Sequence, residues 1–267
     1  MPISIDRENT PAAPLFPTLD AVKDVQRQFG KTAAAYANSA THAGGEDLER
    51  LIAVAAPLAH ERALDLGCGV GHTLRRIAPL VSFAVGADAT LEMMLAGRAS
   101  VVSATNVGFA QCDATRLPFA SDVFDLATCR LAAHHFEDPA SAFREVRRVL
   151  GAAGRLVLVD NYAPDDPPLD AFINELETLR DASHARNHTM DGWRSLLEDA
   201  GFRVSVESRL LTTKLTTDQW LERSQTPPDR ADEVRRRLRE APPAAVEAFH
   251  ITATTFAVPK VVLLARK

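Results

Sequence analysis

The sequence predicts an α/β fold of three layers, in which helices cover both faces of a doubly wound, mostly parallel sheet of seven strands. Two observations predict it. Strand-like apolar runs alternate with helix-like runs from residue 62 to residue 160. The first of these strands runs directly into the glycine-rich turn Gly67-Cys68-Gly69-Val70-Gly71. Near-continuous apolar runs such as Leu156–Val159 are typical of strands that are buried on both faces.

The individual elements follow from apolar periodicity and from glycine and proline positions. The predicted strands are Arg62–Leu66, Val81–Ala87, Val107–Gln111, Phe124–Cys129, Arg155–Asp160, Phe202–Leu211 and Lys260–Ala265. The predicted helices are Leu19–Ala43 with a break near Gly30, Glu46–Leu58, His72–Pro79, Leu91–Val101, Pro139–Leu150, Leu169–Arg180 and Thr189–Ala200.

The chain divides into a short N-terminal part and one large domain. Residues 1–45 are expected to form an arm and a helix that closes over the ligand, and residues 46–267 form the domain itself. Helical insertions are predicted at 161–188 and at 212–257. Both are candidate lids over the C-terminal edge of the sheet, where open α/β sheets bind ligands.

Composition argues against several classes of partner. The formal net charge of −5 gives no electrostatic reason to expect nucleic acid or an anionic membrane. Arg235–Arg237 lies among acidic residues and is interpreted as a solvated, ion-paired helix face. Three scattered cysteines do not make a disulfide framework, and no apolar run approaches the ~18 residues of a membrane span. A cytoplasmic protein with reduced thiols is expected.

The glycine spacing narrows the choice of nucleotide. A dinucleotide fingerprint needs a third glycine five positions after the first, but His72 and Leu74 stand at the two possible positions. No Lys-Ser or Lys-Thr pair follows, so a phosphate-cradling loop is also disfavoured. A tight glycine turn without phosphate-binding groups suits a nucleoside with an uncharged bridge, and S-adenosylmethionine is such a ligand.

The order of the motifs resembles that of the class I S-adenosylmethionine-dependent methyltransferases. It is most similar to the small-molecule C-methyltransferases of ubiquinone and menaquinone biosynthesis, over about residues 20–210. The motifs are Phe29…Tyr36, Leu64–Gly71, Asp88, Cys112-Asp113-Ala114, Leu117-Pro118-Phe119, Arg130…His134-His135-Phe136 and Glu145–Leu150 before Gly154-Arg155-Leu156. The resemblance implies a Rossmann-like methyltransferase fold that binds S-adenosylmethionine.

The resemblance also implies which residues hold the methionine and ribose portions of the cofactor. The turn containing Gly67 and Gly69 would pass under the methionine, with Asp65 orienting its ammonium group. The carbonyl of Arg130 would accept from the same ammonium group. Asp88 would accept hydrogen bonds from both ribose hydroxyls, which a carboxylate can do with its two oxygens.

The adenine portion would lie against the next strand ends. By resemblance, Asp113 would bind the adenine amino group and the backbone of Ala114 a ring nitrogen, with Met93 against the ring. The other expected cofactor contacts are Tyr36 and Ala89.

Each of the three acids also has a plainer interpretation. Asp65 could be a turn acid at a strand end, Asp88 the N-cap of the next helix, and Asp113 a surface turn acid. Their joint appearance at successive strand ends favours the binding interpretation.

Two adjacent histidines are the candidate catalytic residues. His134 and His135 follow the fourth strand, where an acceptor would face the methyl group. An imidazole titrates near neutrality, so either could deprotonate an acceptor. Alternatively, one packs under the next helix and the other caps the loop through Asp138.

A further set of ring-bearing residues is expected to line the acceptor pocket. These are His42, Tyr162, His184, His188, Trp193 and Phe249. Core packing is the alternative for His42 and the aromatic residues, and a solvated surface is the alternative for His184 and His188. His184 and His188 have the helical i, i+4 spacing of metal ligands, but no glutamate follows the first as in zinc proteases, and no metal site is predicted.

The predicted function is therefore methyl transfer from S-adenosylmethionine to carbon or oxygen of a small metabolite. The alternative from another class is a protein that binds S-adenosylmethionine without transferring the methyl group, as a sensor or a repurposed fold. A nicotinamide dehydrogenase is disfavoured by the glycine spacing.

Overall fold

The computed structural model describes residues 19–37, 43–98, 104–211 and 215–267. These residues form a seven-stranded sheet in the order β3-β2-β1-β4-β5-β9-β6. The strands are β1 Arg62–Leu66, β2 Phe83–Asp88, β3 Val107–Gln111, β4 Phe124–Arg130, β5 Leu150–Asn161, β6 Arg203–Leu211 and β9 Pro259–Arg266. Strands β1 to β5 pair in parallel, whereas β9 is antiparallel to both of its neighbours. The predicted fold class is confirmed.

Helices connect the strands and pack against the sheet, and further helices lie in the segment between β6 and β9. They are α1 Leu19–Ala37, α2 Glu46–Ala55, α3 His72–Ile77, α4 Leu91–Arg98, α5 Pro139–Val149, α6 Pro167–Arg180, α7 Met190–Asp199, α8 Thr217–Arg223, α9 Pro228–Arg239 and α10 Pro243–Ala248. None of the helices in the described ranges is long and apolar enough to cross a bilayer.

Two apolar layers hold the helices against the sheet. Leu51 of α2 and Ile77 of α3 are buried on one face, together with Leu126 of β4. Phe143 of α5 and Trp193 of α7 are buried on the other face. Burying each large apolar side chain stabilises the fold by roughly 1.5–3 kcal/mol, so both faces of the sheet are anchored.

The insertion between β6 and β9 forms a third packed unit. A two-stranded antiparallel ladder, β7 Leu215–Thr216 with β8 Thr255–Phe256, joins its two ends. Trp220 of α8, Val234 of α9 and Phe249 after α10 pack with Ile173 of α6 in one apolar cluster. The insertion is therefore seated on α6.

Several element boundaries differ from the expected ones for local physical reasons. Helix α1 continues through Gly30 without a break, and the Glu92 side chain of α4 lies beside this glycine. Strand β1 has its expected bounds, whereas β2 is shifted to Phe83–Asp88 and β5 starts earlier than expected, at Leu150. His42 and part of the predicted helix ending at Val101 lie outside the described residues.

Candidate active site

The sheet order reverses between β1 and β4, which is where doubly wound sheets bind ligands. A cavity opens at the carboxyl ends of these two strands. Of the residues expected to bind the cofactor, nine line it: Tyr36, Gly67, Gly69, Asp88, Ala89, Met93, Asp113, Ala114 and Arg130. Both candidate catalytic residues, His134 and His135, line the same cavity.

The glycine turn after β1 leaves no room for a side chain at Gly67 and little at Gly69. Gly67 has a φ of 63°, in the left-handed region, and a Cβ here would lie 2.4 Å from the Cβ of Ala132. A Cβ on Gly69 would lie 3.1 Å from Cε of Met93. The backbone itself therefore forms this wall of the cavity.

Asp88, at the end of β2, is oriented by two backbone donors. Its Oδ2 accepts from the amide of Gly69 at 2.7 Å and its Oδ1 from the amide of Thr90 at 2.8 Å. Burial raises the pKa of Asp88, and these hydrogen bonds partly offset the shift. Each oxygen keeps a second lone pair, which suits the two adjacent hydroxyls of a ribose. Thr90, rather than Asp88, stands immediately before α4.

The third strand end supplies the adjoining wall. Asp113 follows β3 and accepts from the amide of Thr115 at 2.8 Å, so its carboxylate is held in a tight turn. Ala114 and Met93 lie beside it on the cavity wall.

Asp65 does not line the cavity. It is buried in β1, where its Oδ1 accepts from the Thr128 hydroxyl at 2.8 Å, and its Oδ2 has no partner among the described residues. Burial raises its pKa to about 7. The close-packed Gly67 backbone and the lone pairs of Asp88, which both line the cavity, fit S-adenosylmethionine.

His134 is held by a buried carboxylate. Its Nδ1 lies 2.5 Å from Oδ1 of Asp160, at the end of β5, and its backbone amide donates to Oδ2 of the same residue at 3.2 Å. The carboxylate can only accept, so Nδ1 carries the proton and Nε2 keeps its lone pair. Burial alone would lower the pKa of His134, but the charge of Asp160 outweighs it and the pKa is raised.

His135 has the opposite electrostatic surroundings. Its Nδ1 lies 3.0 Å from the carbonyl of Ser183, and its ring packs edge-on against Phe29 of α1 at 4.9 Å. Burial, and then the neighbouring charge of His134, lower the pKa of His135 to about 4. Asp138 caps α5 through the amide of Ser141, so neither histidine caps the loop through it.

A strained turn brings the histidines back to the cavity. Leu131, directly after β4, has a φ of 54°, although it is not glycine, and such a conformation costs roughly 1–2 kcal/mol. Its amide donates to the carbonyl of Val159 at 2.8 Å. Sequence reasoning missed this turn, since nothing in a Leu-Ala-Ala run signals it.

One carboxylate on α2 binds two cations at the cavity wall. Asp47 Oδ2 lies 2.8 Å from Nε of Arg130 and 3.4 Å from Nζ of Lys260. All three groups are buried. Lys260 belongs to β9, so α2, β4 and β9 are joined through one buried charge.

Helices α6 and α8 complete the cavity with residues that sequence reasoning did not single out. Glu177 and Arg180 come from α6, and Trp220 and Arg223 from α8. Arg180 lies over the Trp220 ring, with Cζ 4.8 Å from its centroid, and pairs with Glu177 at 3.1 Å. An apolar helical pattern predicts a helix but not which cavity it will cover, so no signal could have found these four.

Five residues expected in the acceptor pocket do not line the cavity, and the structure corrects that expectation. Trp193 is fully buried against Phe143 and donates its indole N–H to the carbonyl of Asn161 at 2.9 Å. Phe249 stacks on Phe172 inside the insertion. Tyr162 packs against the core beside α7. Burying the large apolar surface of an aromatic ring in a core stabilises the fold, which explains why these rings pack there.

The two histidines of the 184–188 segment are likewise outside the cavity wall. The chain from 182 to 188 is not helical, so the i, i+4 spacing does not place the two rings on one helix face. His184 is buried and lies 3.1 Å from the side-chain oxygen of Asn174, whereas His188 packs against the Trp193 ring.

Comparison with known proteins agrees with this geometry. A family model described as a methyltransferase domain matches residues 64–158. The uncharacterized methyltransferase YcgJ of Bacillus subtilis (strain 168) is 41% identical over 226 residues, which are 84% of this chain and 89% of the relative. The chain belongs to the S-adenosylmethionine-dependent methyltransferases.

Other similarities extend over most of this methyltransferase. The demethylmenaquinone methyltransferase of Clavibacter sepedonicus is 29% identical over 210 residues, covering 70% of the chain and 85% of the relative. The crystal structure of YcgJ has a TM-score of 0.79 at 37% identity, covering 83% of this methyltransferase and 97% of YcgJ. The crystal structure of a Bacillus halodurans protein has a TM-score of 0.78 at 33% identity, and the match covers 84% of this methyltransferase and 99% of that protein.

Proposed function

We propose that this methyltransferase methylates a carbon or oxygen atom of a small metabolite, with His134 as the general base. The observation that carries the proposal is the His134–Asp160 pair. It lies in the same cavity as the glycine turn and Asp88, which are expected to hold the cofactor. A buried carboxylate that fixes one imidazole nitrogen leaves the other available to accept a proton.

The chemistry divides between cofactor and protein. S-adenosylmethionine, when bound, supplies an electrophilic methyl group. His134 would accept at Nε2 the proton that the acceptor loses, and Asp160 would stabilise the resulting imidazolium. Holding two reactants in line can lower the barrier by roughly 7–11 kcal/mol, so positioning by the cavity is expected to contribute most. Proton transfer would add about 10²–10⁴-fold.

The size of the acceptor is inferred from how the cavity is closed. Phe29 and Tyr36 of α1 line one side, and Trp220 of α8 lines another. The Nε2 of Gln28 donates to the carbonyl of Ser224 at 2.8 Å, so α1 is joined to the end of α8 across the cavity. A polymer would need an open groove, and this enclosure supports a small acceptor instead.

The surface charges support the same choice. Each arginine of the basic run on α9 is paired: Arg235 with Asp218 and Asp232, Arg236 with Glu233 and Glu240, and Arg237 with Glu175 and Glu233. Such a face offers little positive potential to phosphates. We therefore propose that nucleic acid is not the acceptor.

The relatives narrow the acceptor only in part. The name of the Clavibacter relative indicates demethylmenaquinone as the acceptor of that protein. The similarity supports a small cyclic or conjugated acceptor here. However, the insertion places Trp220 and Arg223 in the cavity, so the proposal for this protein does not extend to a quinone acceptor.

The test is transfer of a labelled methyl group. The protein is incubated with methyl-labelled S-adenosylmethionine and fractionated extract of the cells from which the chain comes, and the labelled product is identified by mass spectrometry. A small labelled metabolite is expected. Tight binding of S-adenosylhomocysteine without label in any fraction would instead favour a binding protein that transfers nothing.

A further inference from the structure

The part of the cavity that α6 and α8 supply contains a cation that the described residues do not fully compensate. Arg223 is the last residue of α8 and lines the cavity. It hydrogen-bonds to Tyr36 through its side chain, but its Nε is buried and has no hydrogen-bond partner among the described residues. A buried donor without a partner is costly in a folded protein.

The groups around Arg223 do not balance its charge. Arg180 lies close enough to repel it, while Glu177, which attracts it, is itself paired with Arg180. Burial first, and then this repulsion, lower the pKa of the Arg223 guanidinium despite Tyr36 and Glu177. Arg180 is better compensated, because Glu177 and Asp181 both attract it.

We propose that Arg223, together with Arg180, binds an anionic group of the methyl acceptor, a carboxylate or a phosphate. A guanidinium is suited to such a group because its planar fork matches two acceptor oxygens. The anion would compensate the charge of the Arg223 guanidinium and offset the repulsion between the two guanidinium groups.

The pair comes from other elements than most of the expected cofactor contacts, although Arg223 hydrogen-bonds to one of them, Tyr36. Asp88, Asp113 and the glycine turn come from the ends of β1 to β3, whereas Arg180 and Arg223 come from helices that follow β5 and β6. This assignment of the acceptor class rests on the proposed function, since it presumes that the cavity holds an acceptor beside the cofactor.

The cofactor's own methionine carboxylate offers the same chemistry, so the experiment separates the two sources. Cell extract is divided on a strong anion exchanger at neutral pH into a retained and an unretained pool. Each pool is incubated with methyl-labelled S-adenosylmethionine and with the wild-type protein, Arg223→Gln, Arg223→Lys or Arg235→Gln. Affinity for S-adenosylhomocysteine is measured calorimetrically for every variant, and folding by thermal denaturation.

The expected result has four parts. Wild type labels acceptors in the retained pool, and Arg223→Gln lowers that labelling about ten- to hundred-fold, as for loss of a charge-assisted hydrogen bond. Its affinity for S-adenosylhomocysteine stays within about twofold of wild type. Arg223→Lys, which keeps the charge but not the fork, recovers part of the labelling. Arg235→Gln, on the exposed and ion-paired face of α9, behaves as wild type.

Four outcomes would overturn the proposal. Label confined to the unretained pool would exclude an anionic acceptor, and unchanged labelling by Arg223→Gln would exclude the residue. Equal loss of S-adenosylhomocysteine affinity and of labelling would assign Arg223 to the cofactor instead. Bound S-adenosylhomocysteine without label in either pool would contradict the proposed function itself, and with it this inference.

Discussion

His134 and His135 are neighbours of the same type, with ring centroids 4.1 Å apart, yet their surroundings shift their pKa values in opposite directions. His134 faces the Asp160 carboxylate, whereas His135 faces a backbone carbonyl and the ring of Phe29. Two imidazoles side by side in a buried site cannot both be in the cationic imidazolium form without strong repulsion. The roles of the two histidines are therefore expected to differ.

Replacing each histidine by glutamine should separate these roles. His134→Gln removes the proposed base and is expected to lower turnover about 10²–10⁴-fold, while affinity for S-adenosylhomocysteine changes little. His135→Gln should lower turnover far less, because its side chain packs and is not held by a carboxylate. Turnover is measured with the acceptor identified by methyl labelling. Equal losses in the two variants would contradict this assignment.

The pH dependence of turnover should reflect the raised pKa of His134. The base acts only when neutral, so activity is expected to fall as the pH falls through a midpoint above the ordinary histidine value of about 6.5. Asp160→Asn removes the charge that raises this pKa, and the midpoint should move to lower pH. The maximum rate should also fall, because the neutral amide orients the ring less strongly than the carboxylate and no longer stabilises the imidazolium by charge. A midpoint that does not move in Asp160→Asn would argue against His134 as the titrating group.

Among the elements, α2 is joined to the sheet by charge as well as by apolar packing. Asp47 and Arg130 keep only 8% and 5% of their side chains exposed, so their ion pair is largely shielded from water. Burial raises the pKa of Asp47, but Lys260 and Arg130 outweigh this and the pKa is lowered. A carboxyl group whose pKa is lower in the folded state stabilises the fold fully at a pH above its unfolded-state pKa. This contribution is lost as the pH falls through the folded-state pKa.

Asp47→Ala should therefore destabilise the protein strongly at neutral pH. It leaves Arg130 and Lys260 buried without their shared carboxylate, and removing one partner of a buried pair costs about 3–5 kcal/mol. The free energy of unfolding is measured in urea at pH 7 and below pH 4. The difference from wild type should shrink at the lower pH. Glu49 lies on the same helix as Asp47 and forms an exposed pair with Arg76 of α3; Glu49→Ala is the control and should have little effect.

Elements could be predicted from sequence where local signals coincide. The parallel strands β1 to β5 have apolar cores, so their existence followed from the alternation of strand-like and helix-like runs. Cavity-lining residues at strand ends, such as Asp88 and Asp113, were predictable for the same reason. Strand ends of a parallel sheet necessarily share one edge.

Residues placed by long-range packing could not be predicted in this way. Trp193 and Phe249 have rings that suit a pocket or a core equally well, and both were buried in cores. Arg180 and Arg223 lie in amphipathic helices whose packing partner no periodicity specifies. Asp160 was expected as the end of a strand, but its contact with His134 depends on the strained turn at Leu131.

Considered as a whole molecule, the cavity is assembled from distant parts of the chain. Helix α1, the ends of β1 to β4, and α6 and α8 each contribute to its wall. The cofactor should therefore stabilise the entire fold. A ligand that binds only the folded state raises the free energy of unfolding by about 2.7 kcal/mol at a hundred times its dissociation constant.

Thermal denaturation with and without S-adenosylhomocysteine tests this linkage. The ligand should raise the unfolding midpoint of wild type, and NADH should not. Gly67→Ala should abolish the effect, because its Cβ would collide with Ala132 and the turn must shift. Gly151→Ala, where a Cβ would meet the nearest atom at 3.7 Å, is the matched control and should respond as wild type. Stabilisation by NADH would contradict the choice of nucleotide.

The narrow ladder between Leu215–Thr216 and Thr255–Phe256 has a consequence for how new activities could arise. The ends of the intervening segment lie side by side, so it can be exchanged for a foreign one without rethreading the backbone. Such a graft would replace Trp220 and Arg223 while leaving Asp88 and the glycine turn untouched. Exchange of this segment, in nature or in the laboratory, could then change which molecule is methylated without changing how the methyl donor is bound.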